Sequence, residues 1–187
     1  MKKYLLVILL AVGLMGCSDD DECCEVTDEE TLLNYDSDNA NAPNLPAGEY
    51  VFAIRLPLTL LSRLTGQSIR SVSVFMYDIP SDVDLVIFNE SNNLPSRELY
   101  TQDITSSLSP DGWNMINLET PFEVTGATLW VGLDIDNQQM MQSIGCDLGP
   151  ANINGDWLFD GADGQFIRFS NRVNDSVNWN IRVTVGE

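Results

Sequence analysis

Thr128-Leu129-Trp130-Val131-Gly132-Leu133-Asp134-Ile135 switches side-chain character at every step. Successive side chains of a strand point to opposite faces, which puts Leu129, Val131, Leu133 and Ile135 on one side and Trp130, Gly132 and Asp134 on the other. A helix would scatter the same aliphatic residues around its axis. The stretch therefore predicts a strand with one face on a core and one face toward water, a ligand or a second layer.

Working outward, similar runs recur on both sides. Tyr50–Leu56, Gln67–Tyr77, Val83–Phe88 and Glu98–Ile104 precede it, followed by Trp113–Leu118 and Pro121–Val124. After it come two short runs, Asp156–Phe159 and Gln165–Phe169, and a last alternation from Asn178 to Val185. In that last run Trp179, Ile181, Val183 and Val185 are expected inward and Asn180, Arg182 and Thr184 outward. Turn formers separate the runs: Asp78-Ile79-Pro80-Ser81, the polar Asn89–Pro95, Thr125-Gly126, and a glycine-rich span from Asp136 to Phe166. Only Leu58–Leu64 reads as one or two helical turns. Eight to ten short strands with almost no helix predict an all-β sandwich, one domain over residues 48–187.

The N-terminus reads differently. Lys2 and Lys3 precede an apolar run from Tyr4 to Leu14, then Leu14-Met15-Gly16-Cys17. A charged start, an apolar middle and small residues at a cut site form a secretory signal over residues 1–16. The apolar run is too short for a spanning helix, which needs ~20 residues. The site resembles the lipobox of bacterial lipoproteins, which implies that Cys17 is lipidated and anchors the chain to a membrane; a plain secretory signal with a chance cysteine is the alternative. Residues 17–47 then read as a disordered acidic tether. Ser18 to Asp38 holds ten Asp or Glu and no basic residue. Like charges and few apolar groups cannot offset the entropy of folding. Within it, Thr27 and Glu30 fit a capping box for a short helix over Thr27–Leu33. The acid run also resembles the surface-export signal of Bacteroidetes lipoproteins, which implies the outer membrane or cell surface.

Composition excludes several chemistries. There is no His, so Ser-His-Asp and Cys-His catalysis and imidazole metal sites are out. With both lysines in the signal, the chain after residue 16 sets seven Arg against 28 acidic residues, a net charge of −21. Such a surface repels phosphate backbones, so nucleic acid is not an expected partner. Cys23 and Cys24 lie among carboxylates that disfavour a thiolate, and Cys146 reads as a small buried apolar residue.

Three carboxylate pairs stand out: Asp82 with Asp84, Asp134 with Asp136, and Asp160 with Asp163. Two carboxylates can hydrolyse a glycoside, but Asp-x-Asp on a strand or turn is more often a solvated face. Asp156, Asp160 and Asp163, with Gly161 between, could hold a structural calcium, which takes oxygen ligands only. Of the four tryptophans, Trp179 is expected in the core, and Trp130 either under the edge of the second layer or exposed. Trp157 is the best sugar-stacking platform, with Trp130, Asp147, Asp156 and Asn180 as the other candidate ligand-binding residues. Packing of all four tryptophans is the more common outcome for such residues.

The segments Ser68–Val74, Val83–Phe88, Gly112-Trp113-Asn114, Thr128–Gly132, Gly145–Ala151, Gly155-Asp156-Trp157 and Asn178–Arg182, in that order, resemble a β-sandwich module of Bacteroidetes surface proteins. That module also accompanies gingipain-type cysteine peptidases and cleaved-adhesin domains. The resemblance implies a jelly roll similar to galactose-binding-like domains, acting in adhesion or binding, with no catalytic residue. The expected partners are glycans or glycoproteins, or another envelope protein docked on a sheet.

Overall fold

The computed structural model describes residues 30–173 and 175–187. Its strands are β1 (Thr31–Leu33), β2 (Gly48–Leu56), β3 (Ser68–Met76), β4 (Asp82–Ser91), β5 (Leu94–Asp103), β6 (Gly112–Glu123), β7 (Leu129–Asn137), β8 (Trp157–Asp160), β9 (Gln165–Arg168) and β10 (Ile181–Gly186). Two short helices, α1 (Leu58–Leu61) and α2 (Phe169–Val173), join them. All pairing is antiparallel, in a four-stranded sheet ordered β1-β10-β3-β6 and a six-stranded sheet ordered β5-β4-β7-β2-β8-β9. This is the all-β sandwich that the alternating runs predict. The helical turns at 58–64 also fall where expected.

The main core lies between the sheets. Leu129, Val131, Leu133 and Ile135 of β7 and Tyr50, Phe52, Ile54 and Leu56 of β2 face Val72, Val74 and Met76 of β3 and Ile181, Val183 and Val185 of β10. Trp179 is fully buried there, its ring 4.9 Å from Phe52 and 5.0 Å from Phe169. Cys146 is buried as expected, and burial pushes its thiol up to about 12, so it is inert near neutrality. One side of the sandwich is closed by side chains reaching between edge strands: the Glu119 amide donates to the Tyr100 hydroxyl, and Gln102 donates to the Asn117 carbonyl. Such cover keeps long edges from pairing with other chains.

Two expectations need correction. The domain begins well before Gly48. Thr31–Leu33 is a strand paired with β10, not the end of a helix, and Asn41 and Leu45 bridge to Cys146 and Met141. The fastening is polar: the buried Asp36 carboxylate accepts from Arg182 Nε at 2.9 Å and Asn180 Nδ2 at 2.8 Å, and the Ser37 amide donates to Asp147. Acid-rich sequence folds here because a cation and amide donors wait for it, which counting charges alone cannot show. The rest of the tether, the signal peptide, Cys17, Cys23 and Cys24 lie outside the described residues.

Candidate functional site

The registers fix which side chains share the outer face of the six-stranded sheet. One row runs Phe88–Trp130–Arg55, the next Val86–Gly132–Ala53–Trp157–Arg168, the next Asp84–Asp134–Val51–Phe159–Phe166, and the last Asp82–Asp136–Glu49. The face is aromatic at one end and acidic at the other. The second row is small at its centre. A Cβ at Gly132 would lie 2.1 Å from the Phe52 carbonyl oxygen, so only glycine fits between β4 and β2. The room left by Gly132 and Ala53 is filled: Val51, Ala53, Val86 and Trp130 form a small second core on this face, with Phe88, Trp157, Phe159 and Phe166 packed against it.

The sheet curls around that aromatic layer. β5 and β9 are its opposite edges, about 24 Å apart if the sheet were flat. Yet Leu94 at the start of β5 and Phe166 of β9 line one cavity of about 680 Å³, with Ile153, Trp157, Arg168 and Asn171. Leu94 arrives on the β4–β5 hairpin, whose tip residues Asn92 and Asn93 have φ of 52° and 62°, the left-handed pair that a tight two-residue turn requires. A smaller cavity of about 210 Å³ opens on the other side of Trp157, between Arg55, Asn93, Ile153 and Asn154.

Trp157 is therefore a half-exposed ring between two hollows. Its indole N–H donates to the Ile153 carbonyl at 2.9 Å, and the ring meets Trp130 edge to face at 5.1 Å. Trp130 is fully buried despite its outward position. Its Nε1 donates to Glu90 at 3.1 Å, and Glu90 also receives Arg55, whose guanidinium holds the carboxyl below its usual range. Trp130 is thus the foundation of Trp157 and not a contact surface of its own.

The other predicted ligand residues do not join it. Asp147 is buried, accepting from the Asn178 and Gly149 amides at 2.7 and 2.8 Å; burial acts to raise its carboxyl, but these donors outweigh it and leave it lowered. Asn180 is fully buried beside Asp36. Asp156 is fully buried, accepting from Arg168 Nε at 2.6 Å and the Ser170 amide at 2.9 Å. All three are engaged inside the fold: Asp156 next to Trp157 with Arg168, Asp147 with the Ser37, Gly149 and Asn178 amides, and Asn180 with Asp36.

The calcium expectation fails for the same reason. Asp160 and Asp163 are both held by Arg172, and Asp156 by Arg168. Arginine already neutralises the carboxylates proposed as ligands. Among the described residues no group of three or more Asp, Glu, Cys or His converges on a metal-sized point.

The two Asp-x-Asp pairs behave otherwise. Asp84 faces Asp134, and Asp82 and Glu49 flank Asp136, around a hollow of about 290 Å³. None of the ion pairs among the described residues includes them. Partial desolvation, with the charges of Asp84, Glu49, Glu98 and Asp82, pushes Asp134 up to about 6. Asp84 moves the same way. Sequence reasoning saw both Asp-x-Asp pairs but not their opposition, because register depends on which strands become neighbours. Leu94, Ile153, Phe166, Arg168 and Asn171 carried no local signal at all.

Two solved structures share the fold. One is a clostridial cysteine protease, Cwp84, after propeptide cleavage, with a TM-score of 0.61 at 11% identity over 84% of this chain. The other holds the cysteine protease and lectin-like domains of Cwp84, a surface layer associated protein of Clostridium difficile, with a TM-score of 0.59 at 11% identity over 81% of this chain. The match spans 40% and 37% of those chains, so this chain corresponds to less than half of either. At that identity the likeness is one of fold. No family model and no curated protein sequence matches the chain.

Proposed function

We propose that this domain is a non-catalytic surface-binding module that takes a glycan in the concave face of its six-stranded sheet. Trp157 is the stacking platform, and Arg168 and Asn171 are hydrogen-bond donors beside it. The observation that carries the reading is the half-exposed Trp157 ring, braced from beneath by Trp130, in a groove sized for a small ligand. Sugar rings pack their C–H faces on such indoles. Support also comes from the fold shared with a chain that contains lectin-like domains. The groove sits on a lipidated leash: Cys17 holds the chain to the outer membrane, and the acid run carries it to the cell surface.

The test is a glycan array with the domain and its Trp157→Ala and Trp157→Phe variants. Alanine is expected to abolish binding and phenylalanine to retain part of it. Binding untouched by either change, or no ligand on a broad array, overturns the reading. For the anchor, Cys17→Ser should release the protein from membranes and abolish labelling with a fatty-acid analogue. A second reading draws on Asp134, whose raised carboxyl opposite Asp84 is the kind of pair that hydrolyses glycosides. Turnover of an oligosaccharide that disappears in Asp134→Asn would favour it.

A further inference from the structure

Trp157 and Ile153 line both the cavity of about 680 Å³ and the smaller one of about 210 Å³. A site for a whole small ligand occupies roughly 300–1,000 Å³. The larger hollow falls within that range and the smaller below it, so the smaller suits one unit of a longer ligand. Each hollow sets the same two groups beside the shared ring, an arginine and an exposed carboxamide. These are Arg168 with Asn171 in the larger, and Arg55 with Asn93 in the smaller. A carboxamide both donates and accepts hydrogen bonds, as a sugar hydroxyl does.

The loop between the hollows is held before any ligand arrives. The Asn152 amide donates to Asn178 Oδ1 at 2.6 Å, the Asn154 amide to Asn152 Oδ1 at 2.9 Å, and the Arg55 amide to the Asn154 carbonyl at 2.8 Å. Arg168 Nη2 donates to the Asn152 carbonyl at 3.0 Å. Little loop ordering is then left to oppose binding. Charge is settled inside the fold as well: Glu90 neutralises Arg55 and Asp156 neutralises Arg168. Neither arginine is a spare cation for a carboxylate or sulfate, and the acidic chain as a whole repels both. Resting on the glycan reading above, we propose that the groove binds an internal stretch of a neutral linear glycan. The sugar chain runs past Trp157 with a unit in each hollow, and Asn171 and Asn93 take its hydroxyls on opposite sides of the ring.

The probes are length ladders, from monomer to hexamer, of β-1,4-linked glucose, mannose, xylose and N-acetylglucosamine, with oligogalacturonate as the acidic control. They are titrated calorimetrically into the full-length protein at neutral pH. In the ladder that binds, the tetramer is expected to bind roughly tenfold or more tighter than the monomer, and oligogalacturonate not at all. Asn93→Gly suits the left-handed backbone at that position, where φ is 62°, and removes only the side chain. It should weaken the tetramer roughly fivefold, the weight of one hydrogen bond, and leave the monomer unchanged. Asn171→Ala, in the larger hollow, should weaken both. A monomer that binds as tightly as the tetramer overturns the two-sided site and leaves glycan binding standing. So does an Asn93→Gly variant that weakens every length alike, or none. Oligogalacturonate binding as tightly as the neutral tetramer overturns the charge assignment. Failure of every saccharide to bind overturns glycan binding itself.

Discussion

The two ends of one sheet face show two ways to treat a carboxylate. At the aromatic end Asp156 is wholly buried between Arg168 and the Ser170 amide, and it fixes β9 and α2 against β8. At the acidic end Asp134 is solvent-accessible, yet it is surrounded by its own sign and pushed up to about 6. The first arrangement holds structure. The second costs stability and leaves charge available to a partner. Burial alone does not separate the two cases; the presence of an opposing cation does.

That contrast can be broken in four places. Trp130→Ala should cost the most, about 3–5 kcal/mol by chemical denaturation, because it empties a buried site and removes one of the donors to Glu90. A loss under about 1 kcal/mol would mean that the aromatic end is not a packed layer. Asp156→Ala should cost about 2–3 kcal/mol, since Arg168 keeps its charge without its partner; a neutral outcome would erase the difference between the two ends.

Asp134→Asn should run the other way, stabilising the domain by about 0.5–1 kcal/mol at neutral pH, a figure kept small because the side chain is exposed. Its folded pKa is raised, so ionisation opposes folding above about pH 6. The penalty is fully relieved only below the ordinary aspartate value, near pH 4. Melting temperature of the unaltered domain should therefore rise from pH 7 toward pH 5 as Asp134 takes up a proton among Asp82, Asp84, Asp136, Glu49, Glu98 and Asp103. The variant should show less of that rise. A flat profile for both proteins would remove the electrostatic account. The smallest effect is expected from salt. Adding about 0.5 M sodium chloride should stabilise the unaltered domain by a few tenths of a kcal/mol through screening of the acid rows, and the Asp134→Asn variant by less.

Much of this fold was legible in the chain. Local periodicity placed nearly every strand, because burial on one side of a pleated element writes a period of two into the sequence. The site was half legible. Trp157 stood out as a large ring in a glycine-rich stretch, and that is where the groove formed. Alternation left Trp130 open between cover and exposure, and packing against Trp157 decided for cover. Asp147, Asp156 and Asn180 misled because a polar side chain near a ring looks alike whether it awaits a ligand or already has a partner.

By itself, the sequence determined the strand pattern, the helix-poor body, the lack of imidazole chemistry and the strongly acidic surface, all set by residue type and short-range order. Only the tertiary structure decided that residues 31–46 belong to the body, that Leu94 and Phe166 line one cavity, and which carboxylates found an arginine. Those outcomes depend on pairings across tens to more than a hundred residues, such as Asp36 with Arg182, and spacing along the chain does not encode distance through the fold.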